Sequence, residues 1–203
     1  MYHKLFDNVY VINLKRSDDR RKSIKEQLWR IGCKYEMFEA TDGHDLDIEI
    51  DEENKLMDGW TKGSNGLVDT TIRIIRDAKE KGYKDILILE DDIIFAHGDT
   101  RLIKRIKDYN WELIHLAAHD YRRAVYMCDI RQLRGAWSCQ AYAVNSNIYD
   151  EYLDWLELRN RPIDWITSNV FHTRGKSYAP VKNIIITKPN LSTIRDAYVD
   201  YRL

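Results

Sequence analysis

The segment Asp85-Ile-Leu-Ile-Leu-Glu-Asp-Asp92 is the most informative stretch for the fold. Residues 86–89 are continuously apolar, which is typical of a strand that helices cover on both faces. The acids Glu90, Asp91 and Asp92 begin where the apolar run stops. The segment therefore predicts a central strand of an α/β sheet with three carboxylates at its carboxyl end.

The chain before this strand alternates between strand and helix patterns. Residues 9–14 (VYVINL) form a β-branched run that predicts a buried strand. A helix pattern follows, with Ser17 as its N-cap and Gly32 at its end. Residues 35–38 predict a second strand, and the helix after it ends at Gly82. Such alternation predicts a mostly parallel central sheet flanked by helices.

The second half of the chain has weaker patterns. We expect helices at 102–106, from 145 or 146 to about 158 and from 162 to about 172, and strands at 111–118, 136–144 and 184–187. Residues 119–134 have no clean period and carry several arginines, so we expect an irregular basic loop. Residues 45–58 are strongly acidic, which predicts a solvated surface segment.

Composition narrows the classes of function. The 203 residues are 44% hydrophobic, which can fill a core, and 32 basic against 33 acidic residues give a formal net charge of -1. A nucleic-acid-binding module would usually carry more basic than acidic residues, so nucleic-acid binding is not expected of this chain. Three cysteines without metal-ligand spacing indicate reduced thiols in a cytoplasmic protein. Neither a secretory leader nor a transmembrane segment is expected from the apolar runs.

The three adjacent carboxylates point to a class of ligand. Ligands of open α/β sheets bind beyond the carboxyl ends of the strands. Adjacent acids repel one another unless a cation lies among them, and carboxylate oxygens suit Mg²⁺ or Mn²⁺. These ions usually share their coordination with substrate phosphates. The triplet therefore predicts a divalent metal and a phosphate-bearing ligand; the alternative is that the acids cap the next segment or lie in solvent.

Six segments in order resemble the family 25 glycosyltransferases, the relatives of lipooligosaccharide and collagen galactosyltransferases. They are VYVINLKRSDDRR (9–21), ATDG (40–43), LILEDDI (87–93), QAYAV (140–144), RPID (161–164) and KPNLSTI (188–194). The nearest members in size are small bacterial or viral proteins. The resemblance implies a GT-A-like single domain over residues 1–203, which could be one domain of a longer polypeptide.

The resemblance also implies a reaction. A hexose would move from a nucleotide-diphosphate sugar, with UDP-hexose favoured, to a hydroxyl of a glycan or glycoprotein acceptor. A divalent metal, Mn²⁺ or Mg²⁺, would assist, and the transfer would usually invert the anomeric carbon. A non-catalytic nucleotide-sugar or glycan-binding module with the same fold is the alternative, because fold does not fix function. A signalling receiver-type module would instead carry its acidic pair after the first strand.

Roles follow from the resemblance residue by residue. Asp92 would bind the metal, with Glu90 or Asp91 near the ribose, and Asp164 of the Pro-x-Asp motif would be the catalytic base. His172 could bind the metal or a phosphate. The nucleotide side would comprise Asn13, Lys15, Arg16, Thr41 and Asp42. Structural roles stay open: Asp164 could N-cap its helix, and His172 could be a core residue.

The sequence departs from the family before its second main helix. The family commonly carries a Ser-His pair there, whereas residues 67–71 read Leu-Val-Asp-Thr-Thr. This departure leaves the transferred sugar open.

Overall fold

A computed structural model describes residues 2–47, 61–96, 100–120, 122, 124–137, 139–187, 190–192 and 197–199. Its α-helices are α1 (Asp18–Arg30), α2 (Lys62–Glu80), α3 (Arg101–Lys107), α4 (Tyr149–Glu157) and α5 (Ile163–Ile166). Short 3-10 turns occur at Tyr2–Lys4, Ser146–Ile148 and His172–Arg174, and a π-helical turn, Thr167–Phe171, extends α5. The acidic segment predicted at 45–58 lies mostly outside the described residues, as does most of 188–194.

The strands are short, and most of them join one sheet. In chain order they are β1 (Asn8–Asn13), β2 (Glu36–Glu39), β3 (Asp85–Glu90), β4 (Ile93–Phe95), β5 (Leu113–His115), β6 (His119–Asp120), β7 (Val125–Met127), β8 (Ile130–Gln132), β9 (Ala136–Trp137), β10 (Ala141–Asn145), β11 (Ser177–Pro180), β12 (Ile185–Thr187), β13 (Asn190–Ser192) and β14 (Ala197–Val199). Three separate two-stranded sheets pair β12 with β4, β13 with β14, and β6 with β9.

The central sheet has eight strands in the order β2-β1-β3-β10-β5-β11-β8-β7. β2 and β3 lie parallel to β1 on either side of it, and β11 lies parallel to β5. Only β10 and β8 run against the common direction of this sheet, because each pairs antiparallel with both of its neighbours. The predicted mostly parallel central sheet flanked by helices is therefore confirmed.

The apolar runs of β1 and β3 divide the core into two layers. Successive strand side chains point to opposite faces of a sheet. Accordingly Val9 and Val11 pack in one buried cluster with residues of α1 and α3, whereas Tyr10 and Ile12 pack in the other with residues of α2 and α4. Residues 86–89 of β3 divide in the same way. Helices on both faces explain why these strands read as continuous apolar runs.

The region predicted as an irregular loop is instead partly a hairpin. β7 and β8 pair antiparallel at the edge of the central sheet, with Val125 opposite Gln132. Cys128 takes a left-handed conformation (φ 57°) in the turn between them.

Two other strands differ from the expected bounds. The single strand expected at 136–144 is two strands, β9 and β10, and the strand expected at 111–118 is shorter, comprising only β5. Tyr121 and Arg123 lie outside the described residues. Within the described part, no helix is long and apolar enough to cross a membrane.

Candidate functional site

A cleft of about 540 Å³, including the part open to solvent, lies at the carboxyl ends of β1, β2 and β3. These ends meet at one edge of the sheet because the three strands are parallel. Helices α1 and α2 add further side chains to the wall. The polar wall residues are Asn13, Arg16, Arg20, Thr41, Asp42, Thr70, Glu90 and Asp91. This crevice is where open α/β sheets bind their ligands.

Most of the residues predicted for the nucleotide side meet in this cleft. Asn13 ends β1 and Arg16 follows it, Thr41 and Asp42 follow β2, and Glu90 ends β3 with Asp91 directly after it. All six residues line the wall. Lys15 is exposed and does not line it. Arg20 and Thr70 line the cleft although the sequence patterns did not single them out.

Asn13 anchors the carboxyl end of β1 to the acidic triplet. It is only 2% exposed, and its Nδ2 donates to Asp91 Oδ2 at 2.5 Å and to the Ser17 carbonyl at 3.1 Å. Its Oδ1 accepts a hydrogen bond from Arg21 Nε at 2.6 Å. Every polar atom of the Asn13 side chain therefore has a partner, and the network fixes the position of Asp91.

Arg20 provides a cation beside the carboxylates. Its Nη1 lies 3.4 Å from Asp91 Oδ1 and 3.6 Å from Asp92 Oδ2, and its side chain is 19% exposed. Burial raises the pKa of Asp91, whereas the hydrogen bond from Asn13 and the charge of Arg20 act in the opposite direction. Asp92 does not line the cleft itself, but it forms an ion pair with Arg20, which does.

Asp164 lies within electrostatic reach of the acidic triplet, although it is 72 positions from Asp92 in the sequence. Burial raises the pKa of Glu90 well above its usual value, and the charges of Asp92, Asp164 and Asp91 raise it further. Asp164 also contributes to the raised pKa of the Cys139 thiol, after the larger effect of burial. The fold thus brings carboxylates from the turn after β3 and from α5 close to Glu90, the last residue of β3.

Asp164 is not the N-cap of its helix. Pro162 occupies the N-cap position of α5, so Asp164 is the second residue of its first turn. The structural alternative that Asp164 only caps the helix is therefore wrong, because a cap side chain has to precede the first turn.

The loop after β2 is held rigidly against α2. The Thr41 amide donates to Thr70 Oγ1 at 2.9 Å, and its hydroxyl donates to Asp69 Oδ2 at 2.7 Å. Gly66 of α2 packs so closely that an added Cβ would lie 2.6 Å from both the Thr41 carbonyl oxygen and the Gly43 nitrogen. This wall of the cleft is therefore preformed.

Arg16 and Asp42 form an ion pair at the cleft wall. The Arg16 side chain is 51% exposed, and Asp42 also accepts a hydrogen bond from the His44 amide at 3.1 Å. An exposed guanidinium of this kind can pair with a phosphate at little cost, since its contacts with the protein are already solvated.

His172 lies in the core instead of offering a ring nitrogen to a metal. It is fully buried, its Nδ1 accepts a hydrogen bond from the Ala136 amide at 3.1 Å, and its Nε2 lies 3.0 Å from His115 Nε2. Both ring nitrogens are thus engaged within the protein. The structural role that the sequence left open is the one this geometry supports.

We expect His172 to make stability fall with acid. Burial, and then the charges of His115 and Arg122, lower the pKa of His172 to about 2 in the folded protein, against about 6.5 in an unfolded chain. Protonation therefore favours the unfolded state, and stability is lost as pH falls below 6.5. Urea unfolding should show a free energy of unfolding about 1 kcal/mol lower at pH 5.5 than at pH 7 from this group.

The His172→Gln variant should lose this part of the pH dependence. His44→Gln serves as the control because His44 is exposed. An unchanged pH slope in His172→Gln would contradict the assignment.

The donor set partly fits a divalent ion. Asp91 and Asp92 offer carboxylate oxygens that one guanidinium already bridges, which is the chemistry that Mg²⁺ and Mn²⁺ prefer. Within the described residues, no three His, Cys, Asp or Glu side chains are arranged as a complete metal site. An ion held by two carboxylates would complete its shell with water and ligand phosphates, as Mg²⁺ usually does.

Comparisons with known proteins place the chain in a family. Over 128 residues, it is 27% identical to Inactive glycosyltransferase 25 family member 3 and to Procollagen galactosyltransferase 2, both of Mus musculus. These matches cover 55% of this chain, and 22% and 20% of the two relatives. A Glycosyltransferase 25 family member of Drosophila melanogaster is 32% identical over 100 residues, covering 44% of this chain and 16% of the relative. The chain thus spans about a fifth of the length of these relatives.

One solved structure aligns over most of both chains. It is a glycosyltransferase involved in the glycosylation of the major capsid of PBCV-1, with a TM-score of 0.48, 12% identity, and coverage of 86% of this chain and 91% of that chain. A similarity this low supports no conclusion about the fold or the function of this chain.

The family model matches the part of the chain that builds the cleft. The model described as Glycosyltransferase family 25 (LPS biosynthesis protein) covers residues 6–134, well over half of the 203 residues. This stretch contains β1, β2 and β3 with their carboxyl ends. The chain belongs to glycosyltransferase family 25.

Proposed function

We propose that this chain is a glycosyltransferase that moves a hexose from a nucleotide-diphosphate sugar, with UDP-hexose favoured, to a hydroxyl of a glycan or glycoprotein acceptor. The cleft at the ends of β1, β2 and β3 carries the proposal, because it lies within the stretch that the family model matches. The name of one relative, procollagen galactosyltransferase, supports a hexose as the group transferred.

The nucleotide would bind against the preformed wall after β2. The loop around Thr41 and Asp42 offers backbone groups and a carboxylate, which can accept hydrogen bonds from ribose hydroxyls. Arg16 would exchange Asp42 for a donor phosphate, since a guanidinium pairs with phosphate through two parallel hydrogen bonds. The fixed loop limits the entropy lost on binding.

The diphosphate would lie at the acidic end of the cleft. Asp92, together with Asp91, would hold a divalent ion, Mn²⁺ or Mg²⁺, with His172 outside the ligand set. When bound, such an ion neutralises the charge that develops on the leaving diphosphate. Asn13 would keep Asp91 in place for this role through its 2.5 Å hydrogen bond.

Asp164 would act as the base. Its carboxylate would take the proton of the acceptor hydroxyl as that oxygen attacks the anomeric carbon. Attack from the face opposite the diphosphate inverts the configuration. The negative charges around Glu90 would also stabilise an oxocarbenium-like transition state, because positive charge develops at that carbon.

We expect Asp92→Asn to remove metal-dependent nucleotide binding. Calorimetric titration of the wild type with UDP, GDP, CMP and their sugar conjugates should give binding to UDP compounds with Mn²⁺ and at least about tenfold weaker binding with a chelator. In Asp92→Asn the two conditions should give the same weak binding, since a neutral amide is a poor ligand for a hard cation.

Asp150→Asn is a suitable control because Asp150 is 78% exposed on α4. Binding that depends neither on metal nor on Asp92 would overturn the metal role and leave only a metal-free site.

A second candidate function is binding without transfer. One observation favours it: a relative 27% identical to this chain is named an inactive family member. Such a module would bind the nucleotide sugar in the same cleft but release no nucleotide. Measuring UDP release from UDP-hexoses, with and without glycan acceptors, separates the two functions.

A further inference from the structure

Arg20 lies beside the two carboxylates that would hold a divalent ion. Its Nη1 lies between Asp91 Oδ1, at 3.4 Å, and Asp92 Oδ2, at 3.6 Å. A charge-assisted hydrogen bond from nitrogen to a carboxylate is typically shorter, about 2.7–2.9 Å. Both Arg20 distances exceed this range, so the guanidinium lies beside two acids at once.

The local charge balance explains why a cation lies there. The carboxylates of Asp91 and Asp92 follow Glu90 directly, and the Arg20 guanidinium lies within 3.6 Å of both. Arg20 comes from the first turn of α1 and lines the cleft beside Glu90 and Asp91. The same side chain thus faces both the carboxylates and the space that a ligand would fill.

We infer that Arg20 exchanges partners during ligand binding: it holds Asp91 and Asp92 while the cleft is empty, and it turns to the donor diphosphate when a divalent ion takes those carboxylates. This inference rests on the proposed function, which supplies both the ion and the diphosphate.

Electrostatics gives the direction of each step. A divalent ion on Asp91 and Asp92 would lie a few ångströms from the guanidinium, and the two cations repel. Arg20 therefore competes with the ion. The diphosphate relieves the competition, because a guanidinium pairs bidentately with phosphate oxygens.

The exchange makes metal and nucleotide binding cooperative. Nucleotide that draws Arg20 away from the carboxylates must tighten metal binding, and metal must tighten nucleotide binding by the same factor. Arg16 is not placed to do this, because among the ion pairs of the described residues it pairs with Asp42 and with neither Asp91 nor Asp92.

The test measures Mn²⁺ and UDP binding separately, by electron paramagnetic resonance of free Mn²⁺ and by calorimetry. In Arg20→Gln, Mn²⁺ alone should bind about tenfold tighter than in the wild type, because the competing charge is gone. UDP at saturating Mn²⁺ should bind about tenfold weaker, because the phosphate partner is gone.

Two further variants keep the result interpretable. Arg20→Lys retains the charge, so its Mn²⁺ affinity should stay within about twofold of the wild type while its UDP affinity falls. Arg30→Gln, at an exposed site on the same helix, should change neither affinity. Thermal unfolding of each variant checks that the fold is intact.

Three results would overturn the inference. Mn²⁺ affinity unchanged in Arg20→Gln, with metal-dependent UDP binding retained, removes the exchange but leaves the proposed function standing. Metal-independent UDP binding that needs Arg20 would make Arg20 a permanent phosphate ligand. Failure of Mn²⁺ and UDP to bind any variant, the wild type included, overturns the inference and the proposed function together.

Discussion

Replacing Asp164 by Asn is expected to lower the rate of sugar transfer about 10²- to 10⁴-fold while leaving nucleotide affinity unchanged. The amide keeps the shape of the side chain but accepts no proton from an acceptor hydroxyl. Because Asp164 comes from α5, outside the walls that β1 and β2 provide, its loss should affect transfer and not donor binding.

Release of UDP from UDP-hexose in the presence of acceptor measures the transfer rate, and calorimetry measures the donor affinity. Asp154→Asn is the matched control, since Asp154 is an exposed residue of α4. A variant at Asp164 that keeps half of the wild-type rate would exclude Asp164 as the base. A variant that loses donor affinity and folded stability together would assign it a structural role.

Replacing Gly66 by Ala is expected to reduce the free energy of unfolding by about 3 kcal/mol and to weaken nucleotide binding. Alanine usually stabilises a helix interior relative to glycine. Here its Cβ would lie 2.6 Å from two backbone atoms, the Thr41 carbonyl oxygen and the Gly43 nitrogen, so α2 and the loop after β2 must move apart.

Urea unfolding and UDP titration measure the two effects. Gly32→Ala is the control: Gly32 has a positive φ of 56° but nothing within 4 Å of an added Cβ. Gly32→Ala should lower the free energy of unfolding by only about 1 kcal/mol, because alanine is disfavoured in a left-handed conformation, and it should leave UDP binding unchanged. A Gly66→Ala protein as stable as the wild type would show that the loop is not held against α2.

The strands that build the cleft could be predicted because their residue patterns reflect their burial on both faces of the sheet. β1 and β3 are central strands covered on both faces, so residues 9–12 and 86–89 are apolar without interruption. The order strand, helix, strand then places their carboxyl ends together. The family resemblance assigned Asn13, Asp42 and Glu90 to the donor site, and all three line the cleft at these strand ends.

The edge of the sheet could not be predicted in this way. β7 and β8 have three residues each, too few to show a period of two, and Val125 and Tyr126 of β7 are largely exposed. β7 and β8 are strands because they pair with each other across a tight turn, and β8 also pairs with β11, which is distant in sequence. Local patterns carry no signal for such contacts.

Individual site residues escaped prediction for a related reason. Arg20 belongs to the charged run 15–22, in which nothing distinguishes it from Arg21; only the winding of α1 turns Arg20 toward Asp91 and Asp92. His172 is the converse case. The sequence left a ligand role and a core role open, because it does not reveal that Ala136 and His115 engage both ring nitrogens.

The most direct test of the nucleotide site is an amide NMR titration of the 24.2 kDa chain with UDP and Mg²⁺, which is diamagnetic. The cleft predicts that the largest shift changes fall on Asn13, Thr41, Gly43 and Glu90, at the ends of β1, β2 and β3. Amides of the β7–β8 hairpin should stay in place. Shift changes that avoid these strand ends, or no change at millimolar UDP, would contradict a nucleotide-sugar site in this cleft.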